Sequence, residues 1–209
     1  MYDGGWVTGI TAGEPGDVGV LLAHGAGAGQ HHPWMGAVRS GLAARGLFVM
    51  SFNYRYIEAG KRAPDRLPML LAVHRAAADA MAVECDRVVI AGKSMGGRVG
   101  SHLVGDEGWP AAALVYFAYP LVPLGKGASR STDHLDAIQV PQLFFAGTRD
   151  RLSPPELIAP IAEAIPDGTL MVVEDGDHSF KMLKRSSRST EEALDAVIGS
   201  TADWIDART

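Results

Sequence analysis

A single cysteine, Cys85, excludes an internal disulfide, and it fits a reducing compartment. No apolar run approaches the roughly 20 residues of a membrane span, and the start, Met1 to Trp6, lacks the basic and apolar blocks of a secretory leader. A soluble cytoplasmic protein is therefore expected. Charge of one sign is also scarce. Lys and Arg number 19 against 24 Asp and Glu, a net charge of -5, which supplies no electrostatic reason to bind nucleic acid or an anionic membrane. No repeat, low-complexity block or Pro/Ser-rich linker divides the chain, so its 209 residues read as one domain, 1–209.

What is present is apolar material, 47% of residues, enough to bury a continuous core without metal or disulfides. Short β-type apolar runs alternate with longer helical stretches. Strands are predicted at Trp6 to Thr11, Val18 to Ala23, Leu47 to Phe52, Arg87 to Ala91, Ala113 to Phe117, Gln142 to Ala146 and Leu170 to Val173. Helices are predicted at Pro33 to Arg45, Leu67 to Val83, Ser94 to Val104, Pro155 to Ala164 and Thr190 to Ala207. The alternation implies an α/β fold, a mostly parallel sheet with helices on both faces. Two segments read as irregular, Tyr54 to Arg66 and Tyr119 to Leu135, and loops of that length are expected to border a substrate site.

Ala91-Gly92-Lys93-Ser94-Met95-Gly96-Gly97 places a G-x-S-x-G motif between a predicted strand and a predicted helix. A serine is aimed out of a sheet only by a sharp turn, which Gly92 and Gly96 make room for, and the following helix start favours developing negative charge. A second loop, His24-Gly25-Ala26-Gly27-Ala28-Gly29, also follows a strand. Its small residues let a backbone N–H face an oxyanion: Ala26 is the expected donor beside Met95, with Gly25 or Gly27 if the turn is shifted. A dinucleotide loop would need an acidic residue ending the next strand, but that strand ends Ser51-Phe52-Asn53.

A serine hydroxyl needs a base, and the base needs an orienting partner. His178 and Asp150 each follow a late strand, and parallel strands end on one edge, so Ser94, Asp150 and His178 can converge there. The bland alternative for Asp150 is a turn aspartate capping the next helix, and for His178 a solvated loop histidine. Asp175 and Asp177 share the short loop of His178 and are poorer orienters. Gly25, His32 and Tyr119 are expected to line the substrate site, and Trp34 and Met35 either anchor a helix or shape the pocket. His31 and His32 make no metal-ligand pattern, His74 and His102 fall in helices, and Cys85 reads as packing.

These residues resemble the α/β-hydrolase superfamily over nearly the whole chain. The closer likeness is to small single-domain, dienelactone-hydrolase-like bacterial proteins, the branch related to a subunit of the eukaryotic NSL histone acetyltransferase complex. The likeness is carried by the glycine loop, by Gly92-Lys93-Ser94-Met95-Gly96-Gly97-Arg98, by Tyr119-Pro120-Leu121 with Gly125-Lys126, and by Gly147-Thr148-Arg149-Asp150. The resemblance implies a serine triad at Ser94, Asp150 and His178 and no cofactor; the site residues themselves point to a small-molecule, ester-like substrate. The stretch between Ser94 and Asp150 is too short for a large lid domain, so an open cleft is expected, with Lys93, Arg98, Lys126 and Arg130 as a cationic rim or as structural residues. The rival expectation is a non-catalytic scaffold of the same fold.

Overall fold

The computed structural model describes residues 6–123, 125 and 128–209. Its strands are β1 (Gly9–Ala12), β2 (Val18–Ala23), β3 (Phe48–Phe52), β4 (Arg87–Lys93), β5 (Ala113–Phe117), β6 (Gln142–Gly147) and β7 (Gly168–Val173). Its helices are α1 (Pro33–Ala43), α2 (Arg55–Glu58), α3 (Leu67–Glu84), α4 (Met95–Gly105), α5 (Pro155–Ala164) and α6 (Thr190–Asp206), with a 3₁₀ turn at Asp133–Leu135.

The strands form one seven-stranded sheet in the order β1-β3-β2-β4-β5-β6-β7. All pairs are parallel except β1 with β3. Period-two alternation sorts the strand side chains into two cores. Leu21, Ile90, Leu114, Tyr116 and Phe144 face α3, α4 and α5, whereas Val20, Leu22, Val89, Val115 and Phe145 face α1 and α6. This is an α/β-hydrolase fold, and its double coverage explains why the inner strands read as unbroken apolar runs.

Local chemistry sets the helix starts. Pro33 occupies the first turn of α1, where its missing N–H costs nothing, and the His32 ring accepts from the Trp34 N–H. Ser189 and Glu192 close a reciprocal capping box on α6.

Three boundaries differ informatively from expectation. The first strand is shorter and later than Trp6 to Thr11, because β1 is an antiparallel edge strand paired on one side only. β4 runs on to Lys93 and α4 begins at Met95, because Ser94 has φ of 50° and belongs to neither element. The two segments read as irregular contain α2 and the 3₁₀ turn, both too short for periodicity to reveal.

Candidate active site

Adjacent β2 and β4 lead into connections that diverge to opposite parts of the sheet, which leaves a crevice beyond their carboxyl ends. The glycine loop follows β2 there, and Ser94 follows β4. At the turn, a Cβ on Gly92 would lie 2.2 Å from Gly97 N, and one on Gly96 would lie 2.5 Å from the Ala23 carbonyl oxygen. Those contacts are closer than any side chain allows, so the two glycines are what let the turn close. Ser94 itself is left in a positive-φ conformation that serine rarely adopts, stabilised by its N–H donating to Phe117 O at 2.9 Å.

Two loops meet the serine from the far side. A Cβ on Gly147 would lie 2.3 Å from Gly176 O, so the turn after β6 packs directly on the turn after β7. Backbone bonds then staple them: Thr148 N–H to Val173 O at 3.1 Å and Arg149 N–H to Gly176 O at 2.9 Å. The Arg149 guanidinium adds bonds to the carbonyls of Asp175 and Lys181. The result is a hydrogen-bonded series: Ser94 Oγ lies 2.9 Å from His178 Nε2, and His178 Nδ1 lies 2.7 Å from Asp150 Oδ2.

Asp150 is 3% exposed. Burial alone would push its carboxyl up, but hydrogen bonds from His178 and the Leu152 N–H, with the charge of Lys93, outweigh that and hold it below its ordinary value. Asp150 does not cap α5, whose N-cap Pro154 has no side-chain partner; it bonds its own turn at Leu152 through one oxygen and His178 through the other. Asp177 is spent on the N–H groups of Ser179 and Lys181, and Asp175 on the Ser186 hydroxyl.

The glycine loop is fixed from beneath. Buried His24 accepts from Tyr54 N–H through Nε2 and places Nδ1 2.8 Å from Gly25 O, and desolvation lowers its pKa to about 4. Asn53 Oδ1 accepts from Gln30 N–H at 2.8 Å, and Gly27 N–H donates to Tyr56 Oη at 3.2 Å. Gly27, one of the glycine loop's three candidate oxyanion donors, is therefore already engaged. Ala26 and Gly25 line the cavity beside Ser94, and Met95 N–H stands at the first position of α4, where no intrahelical partner exists. A dinucleotide loop would open a helix within its glycines, whereas here α1 begins only at Pro33.

The cavity encloses about 440 Å³ and is lined by Gly25, Ala26, His32, Trp34, Lys93 and Leu152 around Ser94 and His178. Gly25 and His32 fall where the sequence places them, and Trp34 both opens α1 and walls the cavity. Tyr119 does not. It is 1% exposed, and its hydroxyl bonds Arg98, Ser101 and His134. The chain turns inward after β5 at Ala118, with φ of 60°, which buries the ring that follows. Among the described residues, neither long irregular segment supplies one that lines the cavity. Arg98 and Arg130 likewise serve the fold, donating to the carbonyls of Ser131 and Pro120, while Lys126 lies outside the described residues. Leu152 and Ser179 were missed, although both are near neighbours of residues singled out from the sequence.

A parallel sheet with a serine elbow, imidazole and carboxylate at its carboxyl edge defines a protein of the α/β-hydrolase class. The chain belongs to the alpha/beta hydrolase domain family, which matches residues 16–206. Among solved structures it is similar to a thermophilic esterase from Thermogutta terrifontis, at 17% identity and TM-score 0.75 over 97% of this chain and 94% of that one. It is also similar to an alpha-beta serine hydrolase homologue from Coxiella burnetii, at 16% identity and TM-score 0.73 over 95% and 90%. An α/β serine hydrolase without lid from Xanthomonas campestris aligns at 17% identity and TM-score 0.68 over 95% and 89%. No curated protein matches the chain in sequence. Among the described residues, no helix is long and apolar enough to cross a membrane.

Proposed function

We propose that this chain is a serine hydrolase of the dienelactone-hydrolase-like branch, cleaving a small ester or thioester as a carboxylesterase or thioesterase. The observation that carries the reading is the unbroken series Ser94 Oγ, His178 Nε2, His178 Nδ1 and Asp150 Oδ2, with separations of 2.9 Å and 2.7 Å. In the first half-reaction His178 Nε2 takes the Ser94 proton as Oγ attacks the substrate carbonyl carbon. The N–H groups of Met95 and Ala26 hold the oxyanion, and His178 returns the proton to the departing alcohol or thiol. Water repeats the sequence on the acyl-enzyme, releasing the acid and restoring Ser94. Asp150 orients the ring and supports its cationic form.

The stretch between Ser94 and Asp150 is too short for a large lid, which supports small or exposed acyl groups. That several structural neighbours are esterases and serine hydrolases supports the class of reaction. Fluorophosphonate labelling provides the test: one equivalent on wild type and none on Ser94→Ala is expected. Hydrolysis of p-nitrophenyl acetate and an acetyl thioester, each lost in His178→Ala, is expected beside it. Equal labelling of wild type and Ser94→Ala would overturn the reading.

A further inference from the structure

Lys93 ends β4 one residue before Ser94, and its side chain runs into the cavity along Gly25, whose added Cβ would lie 3.6 Å from Lys93 Cγ. Only 8% of it is exposed, a level at which lysine is rarely found without a partner. Its Nζ donates to the main-chain carbonyl of His178 and lies 5.8 Å from the centre of the Trp34 ring. Among the described residues the ammonium has no carboxylate within salt-bridge distance, and the charged groups that act on it are Asp150, which bonds His178, and Asp177. Burying a cation costs free energy that a methionine of similar length would not, so packing alone does not account for it.

We propose that Lys93 is a positioning residue, whose ammonium clamps the carbonyl of His178 and so ties the strand that presents the nucleophile to the loop that presents the imidazole. The inference rests on Ser94 and His178 acting as the catalytic pair. No other side chain of β4 bonds the His178 loop among the described residues. Loosening the clamp lets the ring drift from Ser94, and displacement of about 1 Å at a reacting pair costs about 100-fold in rate.

Burial, opposed by Asp150 and Asp177, lowers the Lys93 pKa from 10.5 to about 8. Above that pH the neutral amine makes a weaker bond to the carbonyl than the ammonium does. Stability responds with the opposite sign. Between about pH 8 and 10.5 the unfolded chain holds a proton that folded Lys93 has lost, so this residue's contribution to stability rises with pH there. A fall in turnover without a fall in melting temperature is therefore the mark of positioning.

The experiment compares wild type, Lys93→Met and Lys93→Arg in kcat and KM for p-nitrophenyl acetate, fluorophosphonate labelling rate and melting temperature, from about pH 6 to about pH 9.5. Wild-type kcat should decline above about pH 8. Lys93→Met should lower kcat and labelling about 10- to 100-fold with KM within about twofold, and abolish that limb. Lys93→Arg, which keeps its charge, should recover activity relative to Met and move the limb beyond the range. Lys93→Met within twofold of wild type, or an Arg limb unmoved from about pH 8, overturns the proposal. If the Met variant fails to fold, the Arg limb alone decides. Absence of Ser94-dependent labelling in wild type would remove the hydrolase reading and this inference together, whereas equal labelling of wild type and both variants removes this inference alone.

Discussion

Both oxygens of Asp150 are committed: Oδ2 lies 2.7 Å from His178 Nδ1, and Oδ1 accepts the Leu152 N–H at 2.9 Å. A carboxylate gripped by its own turn cannot swing away, so the histidine ring is held at a set angle toward Ser94. Asp150→Asn should keep the turn, since its amide oxygen still accepts from Leu152, but it leaves the imidazole without a charged partner. The kcat for p-nitrophenyl acetate should fall by about 10⁴-fold, with melting temperature nearly unchanged. A loss under about tenfold would show that catalysis does not use this pair.

Acid should destabilise the fold through three histidines held neutral, chiefly by burial. Their pKa values lie at about 4 for His24, about 3 for His74 and about 4 for His134. Folded values depressed below 6.5 mean that the unfolded chain binds protons first as pH falls. Stability is then full above about 6.5 and lost progressively towards pH 4, at roughly 1.4 kcal/mol per pH unit for each histidine. Urea midpoints at neutral pH and near pH 5 check this, and a flat profile would refute it.

Gly92→Ala should fail where Gly16→Ala passes. The first Cβ would stand 2.2 Å from Gly97 N, backbone that has nowhere to go, whereas Gly16 has nothing within 4 Å. A cost above about 3 kcal/mol is expected for Gly92→Ala and under about 0.5 kcal/mol for Gly16→Ala, read from chemical denaturation.

Tyr56→Phe removes the acceptor of Gly27 N–H and frees the glycine loop to twist. The expected result is a kcat reduced about tenfold or more, as Ala26 N–H drifts from the oxyanion position, with a stability loss of about 1 to 3 kcal/mol. Unchanged kcat in a destabilised Tyr56→Phe would show that the loop keeps its shape without this bond.

How much was legible follows from the range of each signal. The Val18–Ala23 and Ala113–Phe117 strands and the Pro155–Ala164 helix fall on their predicted bounds, because apolar runs and proline starts are local facts. Ser94, His178 and Asp150 were readable because each follows a strand, and parallel strands share an end. Tyr119 follows a strand too, but the positive φ at Ala118 turns it into the core, and no residue type announces that.

Sequence alone thus determined the layered sheet and the residues at its carboxyl edge, since burial on both faces writes itself into apolar runs and tight turns into glycines. Tertiary structure decided which edge residues touch. Asp150 reaches His178 because Gly147 packs on Gly176, and Lys93 meets the carbonyl of His178, a residue 85 positions away in the chain. Contacts between side chains far apart in the chain depend on packing distances of a few tenths of an ångström, and those exist only once the core has closed.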